Sequence, residues 1–138
     1  MSDLVKHILL ATDGSDVAAS AFAQALDLAL HHRARLSLVH VAQQEPATAR
    51  RADNLAEYRH QLAGRLEEFE ASARAAGVKR IQHFTFSGLA YSQILQCADS
   101  EDIDLIVLGA SGTGGSSGMG EVATHVAKFA NCSVLIIR

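Results

Sequence analysis

Five short apolar runs alternate with four stretches of helical periodicity along 138 residues, and that alternation is the strongest constraint on the fold. Antiparallel strands can be joined by a two-residue turn, whereas parallel strands need a crossover of a dozen or more residues, usually a helix. A chain that returns to a strand only after each helix therefore predicts a parallel sheet with helices on both faces. Strands buried on both faces read as continuous apolar runs rather than alternating ones. Lys6-His7-Ile8-Leu9-Leu10-Ala11 and Leu105-Ile106-Val107-Leu108 have that form.

Along the chain, Thr12-Asp13-Gly14-Ser15 breaks the first run. From Asp16 to Arg33, Ala18, Phe22, Ala25, Leu26 and Ala29 recur at helical spacing, with Ser15 or Asp13 as N-cap and His31, His32 and Arg33 in the last turn. Leu36, Leu38 and His40 then alternate with Ser37, Val39 and Val41 as a second strand. Gln43 to Ala52, with the only proline, Pro46, predicts a loop over the sheet edge. Asn54 and Glu57 have the form of a capping box, and Leu55, Tyr58, Leu62, Leu66, Phe69 and Ala73 hold one face of a helix closed by Gly77. Arg80 to Phe86 alternates Gln82, Phe84 and Phe86 against Ile81, His83 and Thr85, as a half-exposed edge strand does. A short helix with Ile94, Leu95 and Ala98 inward, an acidic turn from Asp99 to Asp102, and the Leu105 strand follow. Val122, Val126 and Phe129 define the inward face of the last helix, and Ser133 to Ile137 a final strand.

Between the fourth strand and the last helix lies Gly-Ala-Ser-Gly-Thr-Gly-Gly-Ser-Ser-Gly-Met-Gly, Gly109 to Gly120. Glycine lets backbone N–H groups approach a ligand closely, and a helix N-terminus adds unsatisfied donors and about half a positive charge. The combination is a phosphate cradle; a flexible polar loop is the alternative reading of the same composition. In an open parallel sheet, ligands bind outside the carboxyl ends of the strands where strand order reverses. If strands one and four are neighbours, Thr12-Asp13-Gly14-Ser15 and Gly109 to Gly120 face one crevice.

Composition narrows the function. One domain, residues 1–138, is the expectation for this length. The net charge of -3 with scattered lysines and arginines argues against nucleic acid. No apolar run approaches a membrane span, and Met1-Ser2-Asp3-Leu4 opens without a basic or signal-like region, so a cytoplasmic protein is expected. Cys97 and Cys132, each inside an apolar segment, suit buried reduced thiols, and the seven histidines form no metal-binding pattern. There is no Walker A lysine, no nucleophile with a base beside it, no aromatic pair around the crevice to hold a flavin, and no acidic constellation of a phosphoacceptor receiver. At most a slow ATPase remains on the enzyme side.

The opening Ile8-Leu9-Leu10-Ala11-Thr12-Asp13-Gly14-Ser15, the stretch Leu105-Ile106-Val107-Leu108-Gly109-x-x-Gly112 with its glycine run, and the closing Cys132-Ser133-Val134-Leu135-Ile136-Ile137-Arg138 resemble the universal stress protein family over the whole chain. The resemblance implies an α/β fold with a five-stranded parallel sheet in the order 3-2-1-4-5, helices on both faces, in the Rossmann-like, adenine nucleotide alpha hydrolase-like class. It also implies a homodimer formed through the C-terminal strand, whose run Val134-Leu135-Ile136-Ile137 is apolar at the chain end. In nucleotide-binding members the adenine is held after strand one and near the end of strand two. By resemblance these are Thr12, Asp13 and Val41. Phosphates and ribose lie on the glycine loop and the helix that follows, here Gly109, Gly112, Thr113, Gly115, Gly120, Glu121 and Val122. The implied ligand is ATP, ADP or AMP, with Mg²⁺ accompanying ATP.

The chain departs from the family pattern of Gly, two residues, Gly, nine residues, Gly, then Ser or Thr. Gly120 follows Gly112 after seven residues, and Glu121 stands where a hydroxyl is expected. A carboxylate about 5 Å from a phosphate oxygen costs about 1 kcal/mol in water and about 3 kcal/mol at a protein surface. Ser111, Thr113, Ser116 and Ser117 offer replacement hydroxyls, and Glu121 also reads simply as a first-turn acid stabilising its own helix. Two functions stay open: a nucleotide-responsive stress regulator or sensor, and a nucleotide-free dimeric interaction module of the same fold.

Overall fold

The computed structural model describes residues 5–12, 16–42, 52–110 and 120–138. Strands β1 (His7–Ala11), β2 (Arg35–Ala42), β3 (Ile81–Ser87), β4 (Leu105–Gly109) and β5 (Ser133–Ile137) alternate with helices α1 (Asp16–His32), α2 (Ala52–Ala76), α3 (Ala90–Ser100) and α4 (Glu121–Phe129). All pairings are parallel, in the order β3-β2-β1-β4-β5. The expected strand order and layering are present.

Two apolar clusters flank the sheet. Ile8, Leu10, Leu36, Leu38 and Val107 point to the face covered by α1 and α2, with Phe22, Ala25, Phe69 and Ala73 against them. Phe22 of α1 and Phe69 of α2 stack with ring centroids 4.3 Å apart, beyond-area stabilisation on the order of 1 kcal/mol. Leu9, Val39, Ile106 and Leu108 point to the opposite face, where Ile94, Cys97 and Ala98 of α3 and Ala123 and Val126 of α4 pack. Leu55, Tyr58, Leu62 and Ala18, expected on inward faces, have side chains outside the described set.

Local chemistry sets the helix ends. Gly77 adopts φ 118°, a conformation that glycine takes freely, and its N–H and that of Val78 return to the last carbonyls of α2. Arg33, expected in the last turn of α1, lies just past it at φ 56°, and the Ala34 N–H closes the helix on the Ala29 carbonyl at 2.9 Å. The capping box at Asn54 is a correction: α2 begins at Ala52, so Asn54 lies inside the first turn. The helix-favouring Ala52 lets the turn start before the polar residue. The loop expected from Gln43 onward and the Ser15 or Asp13 cap lie outside the described residues.

Phe129 is a second correction: expected inward, it is 56% exposed. Ala123 and Val126 are the buried residues of α4, with Ala130 packed beside them. At about 100° per residue this stripe leaves Phe129 about 90° around the helix. Its ring lies against His125 at 6.4 Å and under the Lys128 ammonium at 5.5 Å.

The amino ends of the strands carry a polar network. The Asp104 carboxylate accepts from the backbone N–H of Lys6 at 2.9 Å and of His7 at 3.0 Å, tying the start of β4 to that of β1. The buried His7 imidazole lies between the Glu101 carbonyl (Nδ1, 3.0 Å) and the Ser37 hydroxyl (Nε2, 2.7 Å), and Gln82 Nε2 donates to the same hydroxyl at 3.2 Å. Burial, helped by the nearby Arg35 charge, holds the His7 pKa below its ordinary value.

Candidate functional site

Strand order reverses between β1 and β4: α1 leads from β1 outward to β2, and α4 leads from β4 outward to β5 in the other direction. At such a reversal the carboxyl ends of the two central strands are where a ligand crevice is expected. Both loops singled out in the sequence start there.

On the β1 side, Thr12 is buried at the strand end, and its N–H donates to the Val39 carbonyl at 2.9 Å. Its own carbonyl accepts from Nδ1 of the buried His40 at 3.1 Å. Asp13 lies outside the described residues. Val41 is half-buried near the end of β2, on the α3 side of the sheet. It pairs in register with Phe86 of β3, which stacks on Phe84 at 5.7 Å.

On the β4 side, Gly109 ends the strand in register with Ile137, and the Ala110 N–H continues the ladder to the Ile137 carbonyl at 2.7 Å. The Gly120 N–H returns to the Ala110 carbonyl at 2.6 Å. Residues 111–119, which include Gly112, Thr113 and Gly115, lie outside the described set; the bond joins the two residues that flank them. Gly120 is the N-cap of α4 with extended backbone, φ −73° and ψ 171°. Glycine has no side chain to cap with, so the first N–H groups of α4 have no partner from the N-cap residue itself. Glu121 is exposed in that first turn and Val122 half-buried. Thr124 donates both its N–H (3.0 Å) and its hydroxyl (2.9 Å) to the Gly120 carbonyl, fixing the helix start.

Sequence reasoning missed the Ala110–Gly120 closure and the role of His40. A polar side chain in the inward set of an apolar strand must find a partner, and His40 follows Leu36 and Leu38 in that set. That was the available signal. Burial raises the pKa of both free thiols, Cys97, which is buried, and Cys132, which is half-buried rather than buried as expected.

Residues 5–138 match the family model described as the universal stress protein family. The chain belongs to that family. A universal stress protein from Thermus aquaticus is 40% identical over 143 residues, covering 98% of this chain and 100% of the relative. Among solved structures, the universal stress protein UspA from Lactobacillus plantarum is similar with a TM-score of 0.80 at 25% identity, covering 97% of this chain and 98% of that one. A universal stress protein solved in complex with cAMP is similar with a TM-score of 0.77 at 26% identity, covering 98% of each chain. No described helix of this universal stress protein is long and apolar enough to cross a membrane.

Proposed function

We propose that this universal stress protein binds an adenine nucleotide in the crevice between the ends of β1 and β4 and acts as a cytoplasmic stress-response regulator or sensor. The observation that carries the reading is the Gly120–Ala110 bond, which brings the start of α4 to the end of β4 at a strand-order reversal. Backbone donors at a helix N-terminus favour anions, and glycine allows a backbone N–H to approach a phosphate closely. Adenine would lie between the Thr12–Asp13 segment and Val41, and the phosphates on Gly109, Gly112, Thr113, Gly115, Gly120 and the first turn of α4 at Glu121 and Val122. The family relative crystallised with cAMP supports the ligand class. Among the described residues no group of three His, Cys, Asp or Glu could hold a metal ion, so Mg²⁺ would enter on the phosphates of ATP.

The exposed Glu121 favours few phosphates over many, and it also supports the second reading, a nucleotide-free interaction module. Assembly belongs to both. At the β5 edge Val134, Leu135 and Ile136 are only half-buried, while the β3 edge carries His83 and Thr85 exposed. An apolar edge without charges invites pairing with a second copy, and C₂ pairing through β5 would be isologous.

Isothermal titration with AMP, cAMP, ADP and ATP, with and without Mg²⁺, tests the reading beside a Gly112→Val variant. Micromolar binding lost in the variant is the expected outcome. No heat up to millimolar nucleotide overturns it in favour of the interaction module.

A further inference from the structure

We propose that His40 is a positioning residue for adenine recognition, holding the exit of β1 at a fixed distance from β2; the inference rests on the nucleotide reading above. The register between β1 and β2 ends at the Ala11–Val39 pair. One residue further, β2 grips Thr12 at both ends of its backbone: the Val39 carbonyl accepts its N–H at 2.9 Å, and the His40 imidazole donates to its carbonyl at 3.1 Å.

The chemistry of this contact is determined. A carbonyl oxygen has no proton to give, so Nδ1 carries the proton and donates, in the neutral Nδ1–H form and in the imidazolium alike. His40 is 7% exposed and Thr12 8% exposed, so water competes little for either partner. The Thr12 carbonyl and the following amide share one planar peptide, and holding the carbonyl holds the plane through which the chain leaves the sheet toward residue 13. His40 also directly precedes Val41 in β2. One side chain thus ties together the two strand ends between which adenine would sit, without touching the nucleotide. Such a tie affects the adenine half of any nucleotide equally, whatever its phosphate number.

The test compares wild type with His40→Leu, which removes the donor, and His40→Asn, whose amide nitrogen stands close to the Nδ1 position. In His40→Leu the affinity for AMP, ADP and ATP falls by a common factor of about tenfold, the loss of one buried hydrogen bond, and His40→Asn restores most of it. Amide hydrogen exchange at Thr12, read without nucleotide, speeds up in His40→Leu and stays near wild type in His40→Asn. Long-range ¹H–¹⁵N correlation on the wild type shows His40 protonated at Nδ1, a readout that requires no variant to fold. A bare Nδ1, unchanged Thr12 exchange, or unchanged affinity in His40→Leu overturns the positioning role while leaving nucleotide binding intact. A wild type that binds no adenine nucleotide overturns the nucleotide reading and the adenine role with it, and the exchange and tautomer data then report only on the tie between the strands.

Discussion

Replacing Ser37 by alanine removes a single oxygen, yet the network at the amino ends of the strands makes its cost calculable. Ser37 is 0% exposed. His7 Nδ1 faces the Glu101 carbonyl, which can only accept, so in the neutral ring Nε2 is an acceptor and the Ser37 hydroxyl must donate to it across 2.7 Å. A lone pair of the same oxygen accepts from Gln82 at 3.2 Å. In Ser37→Ala, Gln82 is half-exposed and already reaches toward Glu101 Oε1 at 3.5 Å, so it rehydrates at little cost. His7, only 6% exposed, cannot, and a stranded buried acceptor costs about 1–3 kcal/mol. Relief from burying one fewer hydroxyl offsets about 1 kcal/mol of that. The expected net loss is about 0–2 kcal/mol, seen in urea unfolding at pH 7.5 as a lower midpoint with unchanged slope. In a His7→Leu background the acceptor is gone and the same substitution should cost much less. An equal loss in both backgrounds would refute the assigned hydrogen-bond directions.

Three further outcomes follow from the same structure. Because burial and Arg35 hold His7 below the 6.5 of the unfolded chain, the unfolded state binds more protons between the two values; stability from this group is therefore complete above pH 6.5 and lost as pH falls toward the folded-state value, with a limiting slope of about 1.4 kcal/mol per pH unit. Urea titrations from pH 7.5 to 5 should give a flatter dependence in His7→Leu, and identical curves would sink the assignment. Glu121→Ser should tighten ATP by about fivefold, the Coulomb term of an exposed carboxylate about 5 Å from phosphate, and AMP by less; calorimetry finding adenosine tightened equally would locate the effect away from the phosphates. Leu135→Lys should convert a dimer to a monomer in sedimentation at micromolar concentration, and unchanged assembly would put the interface elsewhere than β5.

The sheet was legible because parallel strands buried on both faces leave unmistakable apolar runs, and β1 and β4 are such runs, with Ile8 to Leu10 and Ile106 to Leu108 buried. The closure of α2 at Gly77 was legible for a different reason: its φ of 118° excludes most side chains, so the residue type announces the geometry. Phe129 failed because a short helix of nine residues offers too few turns to locate its inward stripe, and small residues, Ala123 and Ala130, set that stripe without standing out as hydrophobic anchors. Asn54 failed because polar residues also occupy the first turn of a helix, where they read as caps.

The sequence by itself determined the alternation of elements, the family resemblance and the two loops that begin the candidate site, since each depends on residues close together in the chain. Only the tertiary structure decided which backbone groups meet: that Gly120 closes on Ala110, that His40 takes the carbonyl of Thr12, and that His7, Ser37, Gln82 and Glu101 form one network. Those partners lie up to about a hundred residues apart, and a hydrogen bond is specified by the position and direction of both groups. That is information which composition and periodicity do not carry, because pairing register between distant strands is set by the packing of the whole sheet.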